Sequence, residues 1–164
     1  MEIRESEYQL SSVLNDVCSL VRFRAQSRNL IFLVDVSEDL PDRLYGDGIR
    51  VRQILLNLLN NAVKYTPENG RIIIGAKPED RMVILWVEDD GQGIPEGDEY
   101  KVFEMFYTGV KRSPDSRRGI GLGLALCRSI VQAHGGEINV KNIRPHGARF
   151  WFTLPIAEVT EYEQ

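Results

Sequence analysis

Between residues 10 and 23, apolar side chains recur at Leu10, Val13, Leu14, Val17, Cys18 and Val21. This i, i+3, i+4 stripe predicts an amphipathic helix, with Ser11 or Ser12 placed to cap it. The residues before it, 1–7, are mostly polar and read as the end of a linker, and 158–164 read as a tail. The run LIFLVDV at 30–36 predicts a strand, and SEDLPDR at 37–43 a loop. A second helix is predicted over 48–65, where Val51, Leu55, Leu58, Leu59 and Ala62 share one face and Pro67 stops the chain from continuing. Strands at 71–77 and 82–88 follow, joined by a turn at Pro78-Glu79-Asp80. Residues 90–118 have almost no periodicity, and a loop of that length inside a domain is usually functional or disordered. A third helix over 120–134 ends on Gly135-Gly136, and a hairpin at 137–141 and 148–154 closes the pattern. This order predicts an α/β (α+β) two-layer sandwich, with three main helices on one face of a mixed, mostly antiparallel sheet.

Composition narrows the function classes without choosing one. The chain has 164 residues, 43% hydrophobic and 27% charged, enough for one domain with a real core. Twenty basic against 24 acidic residues give a net charge of −4, which argues against a general nucleic-acid binder. No apolar run approaches the roughly 18–20 residues needed to cross a bilayer, and MEIRESEYQ does not begin a signal peptide. Cys18 and Cys127 form no CxxC motif and read as buried free thiols in a reducing compartment. The 14 glycines include tight clusters at Gly91/Gly93 and Gly119/Gly121/Gly123.

Chemistry has four candidate places. On the second helix Asn57, Asn61 and Lys64 fall within about 60° at 100° per residue. Two amides and an ammonium there offer oxygen ligands for a hard cation and a positive group for phosphate; the alternative is a solvated helix face. Two asparagines in mid-helix favour the functional reading, because asparagine is a poor helix former. The strand at 82–88 runs into Glu88-Asp89-Asp90-Gly91-Gln92-Gly93-Ile94, a carboxylate beside glycines that admit a ligand, suited to accept from a base's exocyclic amine. A dinucleotide fingerprint is rejected here because Asp89, Asp90, Glu96, Asp98 and Glu99 crowd the pyrophosphate position. Calcium-loop spacing is also absent. Arg118-Gly119-Ile120-Gly121-Leu122-Gly123-Leu124 enters a helix and reads as a phosphate cradle, with close helix–sheet packing as the alternative. The long loop, acidic in front and basic behind around Phe103, Met105, Phe106 and Tyr107, reads as a lid or as a partner-docking patch.

Taken in order, these clusters resemble the catalytic ATP-binding domain of bacterial sensor histidine kinases, within the gyrase, Hsp90, histidine kinase and MutL superfamily. QILLNLLNNAVKYTP at 53–67 is similar to the N box, VEDDGQGIP at 87–95 to the G1 box, VFEMFY at 102–107 to the F box, and GIGLGL at 119–124 to the G2 box. CRSIVQAHGGEI and GARFWFTLP look most like the potassium-responsive KdpD type. The resemblance implies a domain over 8–157 with an ATP lid at about 91–118, binding ATP and Mg²⁺. Asn61 would hold Mg²⁺, Asn57 would support the phosphate side, Lys64 would meet phosphate and Tyr65 would lie near the adenine or ribose. Asp89 would accept from the adenine amine, helped through water by Thr153, and Gly91, Gly93 and Ile94 would shape the adenine pocket. Gly119, Gly121, Leu122 and Gly123 would offer amides to the phosphates. Tyr107, Arg118 and Leu124 would complete the nucleotide contacts.

ATPase relatives of this fold carry a glutamate four residues before the metal-binding asparagine. Asn57 stands there and cannot act as a general base, so the site is expected to hold ATP for transfer and hydrolyse it slowly. The nucleophile implied by the resemblance is a histidine on a separate dimerisation hairpin, through which a response regulator would also be served. His134, at a helix end, reads as a favourable C-terminal group, and His146 lies in a turn; neither resembles that acceptor. A cytoplasmic domain of an inner-membrane sensor, monomeric by itself, is expected. An ATPase switch of the same fold and a non-catalytic docking module are the competing functions.

Overall fold

The computed structural model describes residues 1–105 and 123–156. The chain runs β1 (Ser6–Gln9), α1 (Leu10–Ser27), β2 (Ile31–Val36), β3 (Arg43–Gly46), α2 (Gly48–Tyr65), β4 (Arg71–Glu79), β5 (Met82–Asp89), α3 (Gly123–Ala133), β6 (Ile138–Asn142) and β7 (Ala148–Pro155). A 3-10 turn at Lys101–Phe103 lies between β5 and α3. The main sheet has five strands in the order β2-β4-β5-β7-β6, with β2 parallel to β4 and every other pair antiparallel.

Alternation along the strands fixes which face is covered. Ile72, Ile74 and Ala76 of β4, Val83, Leu85 and Val87 of β5, and Ala148, Phe150, Phe152 and Leu154 of β7 are all buried. With a side-chain period of two, these residues line one face of the sheet. They form one cluster with Val13, Val17 and Val21 of α1, Val51, Ile54, Leu55, Leu58 and Leu59 of α2, and Cys127, Ile130 and Val131 of α3. Burying a Leu or Ile side chain fully contributes about 1.5–3 kcal/mol, so the stripe on α2 alone orients that helix firmly. The expected two-layer sandwich is the fold observed.

The start of the chain differs from its sequence reading. Ser6–Gln9 is a strand, not linker, and pairs antiparallel with β3. Nor do Ser11 and Ser12 cap α1: Gln9 is the capping position and makes no side-chain cap. Asp42 does the work from a distance, its carboxylate accepting from Ser11 N at 2.9 Å and its carbonyl from Leu10 N at 2.7 Å.

Asp47 is the hub at the start of α2. Its carboxylate accepts from Arg50 N at 3.2 Å as an N-cap and from Arg4 N at 2.9 Å, tying the N-terminal segment to the helix. Its own N–H donates to His134 Nε2 at 2.9 Å, while His134 Nδ1 lies 2.8 Å from Ile130 O. His134 is therefore a buried bridge from the end of α3 to the start of α2, as well as a partner for a carbonyl of the last turn of α3. That pairing fixes the tautomer with the proton on Nδ1.

Asp47→Ala is expected to cost about 1–2 kcal/mol of stability, the range for a lost N-cap. Urea denaturation measures it, and Asp47→Ser is expected to recover most of the loss.

Candidate functional site

Burial of the apolar stripe on α2 leaves Asn57, Asn61 and Lys64 along the remaining face: the two amides are half-buried and the lysine is exposed. The C-terminal end of the helix is held from outside. The guanidinium of Arg28 donates from Nη1 to Val63 O and from Nη2 to Thr66 O at 3.3 Å, satisfying carbonyls that a helix end leaves free. Tyr65 at that end is 50% exposed, and Lys64 Nζ sits 5.4 Å from its ring centroid. One end of this polar strip meets α3: Asn57 Nδ2 lies 3.5 Å from Gly123 O and 3.7 Å from Cys127 Sγ.

The other end meets the end of β5. A side chain added at Gly91 would come within 3.0 Å of Tyr65 O, so the chain after β5 runs directly against the last turn of α2. Asp89 is buried, and its Oδ1 accepts from Gly91 N at 2.8 Å. Burial lifts its carboxyl above the ordinary value. The N–H groups of Gly91 and Ala148 oppose that rise, and the charges of Asp90 and Glu88 add to it. A buried carboxylate held by backbone donors is a fixed acceptor suited to a single polar group of a ligand.

Two residues that the sequence reading did not single out shape the backbone around Asp89 and Ile94. Asn142, at the end of β6, accepts from Ile94 N at 2.7 Å and donates to Ile94 O at 2.8 Å, clamping that backbone as a neighbouring strand would. Gly147 has φ +118°, and a Cβ there would lie 2.0 Å from Asp89 O. Only glycine can stand at that point. Gly93, with φ +82°, packs against the same two residues. Asn142 and Gly147 bracket the turn of the terminal hairpin, where their composition signals nothing beyond a turn.

Other expectations are corrected. Thr153 does not approach Asp89. It pairs with Ile84, five positions from Asp89 along β5, or about 17 Å at a strand's rise per residue. Its hydroxyl accepts from Glu137 N at 3.0 Å. The front of the long loop is anchored to the fold at the apolar patch. Val102 and Phe103 are buried, and Phe103 meets Phe150 edge to face with centroids 6.1 Å apart; Met105 is exposed. Leu124 packs against the core. Tyr107, Arg118, Gly119, Gly121 and Leu122 lie outside the described residues, as does the rear of the expected lid.

Among the described residues, no group of three His, Cys, Asp or Glu side chains is gathered to hold a metal. The donors present are the amides of Asn57 and Asn61, which fit Mg²⁺ held jointly with phosphate oxygens and not in an all-protein cage.

Residues 46–158 match the family described as histidine kinase-, DNA gyrase B-, and HSP90-like ATPase. The chain is 36% identical over 155 residues to the adaptive-response sensory kinase SasA of Microcystis aeruginosa, covering 94% of this chain and 40% of that protein. It is 43% identical over 122 residues to the sensor protein KdpD of Clostridium acetobutylicum, covering 74% of this chain and 13% of that protein. The chain thus spans well under half the length of these relatives. Among solved structures, the catalytic domain of histidine kinase ThkA superposes with a TM-score of 0.81 at 33% identity, covering 93% of this chain and 98% of that one. Full-length ShkA in complex with AMPPNP gives 0.81 at 34% identity, covering 96% and 32%. ThkA in complex with the response regulator protein TrrA gives 0.79 at 29%, covering 94% and 42%.

Asn142→Ala removes both bonds to Ile94 while leaving the sheet register intact. Hydrogen exchange is expected to show the Ile94 amide losing protection, with the amides in the middle of β5 unchanged.

Proposed function

Because the chain belongs to the family of histidine kinase-, DNA gyrase B- and HSP90-like ATPases, we propose that it binds Mg²⁺-ATP along α2 and gives the γ-phosphoryl group to a histidine on a partner hairpin. The observation that carries this reading is the continuity of the polar strip on α2. At Tyr65 it abuts Gly91 beside the buried Asp89 carboxylate, and at Asn57 it abuts the start of α3. The span from residue 57 to 65 is about 12 Å along the helix axis, room for a nucleotide laid out from base to phosphates.

In this reading Asp89 accepts from the exocyclic amine of the adenine, and the glycines around it let the base approach the backbone. Gly93 and Ile94 form the pocket wall, held in place by Asn142. Tyr65 covers the base or ribose, and Lys64 meets phosphate as a point charge. Asn61 is the metal ligand, with Asn57 beside it on the phosphate side; Mg²⁺ there would neutralise charge on the phosphate oxygens. Gly119, Gly121, Leu122 and Gly123 supply amides to the phosphates, and Tyr107, Arg118 and Leu124 serve the same ligand from the lid side. Phosphoryl transfer asks a protein mainly for positioning and charge neutralisation, which this set provides. Asn57, standing where a general base would have to stand, cannot activate water, so the bound nucleotide waits for the acceptor.

The acceptor is not His134. Both of its ring nitrogens are engaged within the fold, one with Asp47 N and the other with Ile130 O. The partners are then a histidine-bearing hairpin and, through it, a response regulator, on the cytoplasmic side of a membrane-anchored sensor. ThkA, whose catalytic domain superposes on this chain, has been solved with a response regulator. Similarity is shared between SasA and KdpD relatives, so this domain assigns no potassium-sensing role in particular.

Mixing the chain with a separately made histidine hairpin from a sensor kinase and γ-labelled ATP is expected to label the hairpin. Nucleotide binding without transfer would count against the kinase reading, and steady ADP release without acceptor would favour an ATPase. Asn61→Ala is expected to abolish most metal-dependent transfer while keeping adenosine binding.

The Asp89 role predicts a pH dependence. Binding needs the carboxylate, whose carboxyl is raised by burial, so affinity falls as pH drops through that raised value. The fall begins above the ordinary range near 3.9. Calorimetry is expected to show this profile in the native chain and a weaker, flatter one in Asp89→Asn; unchanged affinity in that variant would overturn the adenine assignment.

A further inference from the structure

Asn57 can ligate or accept only through Oδ1, so the orientation of its amide decides whether it serves the phosphate side at all. Its Nδ2 faces two groups on α3, the carbonyl of Gly123 at 3.5 Å and the sulfur of Cys127 at 3.7 Å. A flipped amide would set Oδ1 against the Gly123 carbonyl, acceptor against acceptor. The Cys127 thiol has a second commitment, since Sγ lies 3.8 Å from Ile54 O, one turn back on α2. With its hydrogen given to Ile54 O, the sulfur is left to accept from Asn57.

From this geometry, we propose that Cys127 is a positioning residue for nucleotide binding. Its buried thiol, donating to Ile54 O and accepting from Asn57 Nδ2, holds the Asn57 amide with Oδ1 free for the metal–phosphate side. The inference rests on the nucleotide-site reading of Asn57. Burial keeps the thiol protonated at working pH, pushing it up to about 12 against a smaller opposing pull from the Asn57 amide. Cys127 is 0% exposed and touches no part of the expected ligand, so it acts only through Asn57. Nothing in the sequence points to this, because Cys127 sits 70 residues from Asn57 and reads as an ordinary core thiol.

The test compares Cys127→Val, which fills the space without the polar sulfur, with Cys127→Ser, which can donate and accept. Calorimetry with Mg²⁺-AMPPNP and with adenosine is the readout. Cys127→Val is expected to weaken AMPPNP about tenfold, the scale of one hydrogen bond, and to leave adenosine affinity unchanged. Cys127→Ser is expected to restore AMPPNP binding to within about threefold. In ligand-free protein the side-chain amide resonances of Asn57 are expected to move in the valine variant and stay in the serine variant. A general packing defect would weaken both ligands and would overturn the proposal, as would native AMPPNP affinity in Cys127→Val. If the valine variant does not fold, Cys127→Ala takes its place with the same expectations. Asn57→Ala separates the two layers. If it leaves AMPPNP affinity unchanged, the site reading fails; if it weakens binding while Cys127→Val does not, only the positioning role fails. Cys127→Val is expected to add nothing in the Asn57→Ala background.

Discussion

The arrangement depends on α2 being locked in rotation. Val51, Ile54, Leu55, Leu58, Leu59, Ala62 and Val63 are buried on one side of it, against α1, α3 and the inner face of the sheet. At 100° per residue, a slip of even one position would bury asparagines and expose leucines, at a cost of several kcal/mol. Everything polar on the opposite face is therefore placed by the core. Arg28 then pins the last turn through Val63 O and Thr66 O, and Asp47 pins the first through Arg50 N. A helix fixed at both ends and along one side holds the backbone of Asn57, Asn61 and Lys64 in register, leaving their side chains to set only local orientation, as Asn57 does against α3.

The two ends of that helix are joined to the two chemically different parts of the site by different means. Near Tyr65 the junction is backbone against backbone: Gly91 passes the Tyr65 carbonyl, and Gly147 passes the Asp89 carbonyl. The second excludes a Cβ outright, at 2.0 Å from the Asp89 carbonyl, and the first would crowd one at 3.0 Å from the Tyr65 carbonyl. Near Asn57 the junction is a side-chain contact with Gly123 and Cys127, weaker and easier to adjust. Under the proposed function the close backbone junction lies at the base end and the side-chain contact at the phosphate end, an arrangement that suits selecting the base while letting the phosphates move during transfer. The bridge from Asp47 through His134 to Ile130 ties the C-terminal end of α3 to the start of α2.

Helix 2 was legible to the residue, because its apolar stripe is strict and Pro67 ends it. The strands show through alternation, and the Asn57/Asn61/Lys64 strip follows from helix geometry alone. What the sequence concealed were contacts made across long separations. Ser6–Gln9 is polar and edge-like, and becomes a strand only because β3 is there to pair with it. Asp42 caps α1 by accepting from the Ser11 N–H 31 residues earlier, and Asn142 clamps Ile94 across 48 residues. Thr153 was misplaced for the same reason: alternation says which face a strand residue takes, but the register along the partner strand decides what lies beside it. Resemblance supplied the roles of base, metal and phosphate; the geometry supplies which residues are close enough to share them.

If the Asp89 region and the Asn57–Asn61 strip form one site for one ligand, titrating Mg²⁺-AMPPNP into ¹⁵N-labelled protein is expected to shift the backbone amides of Gly91, Gly93 and Ile94 and the side-chain amides of Asn57 and Asn61 together, on a single binding curve, while the amides of α1 stay put. Two groups of resonances saturating at different concentrations, or one group that never moves, would contradict a shared site.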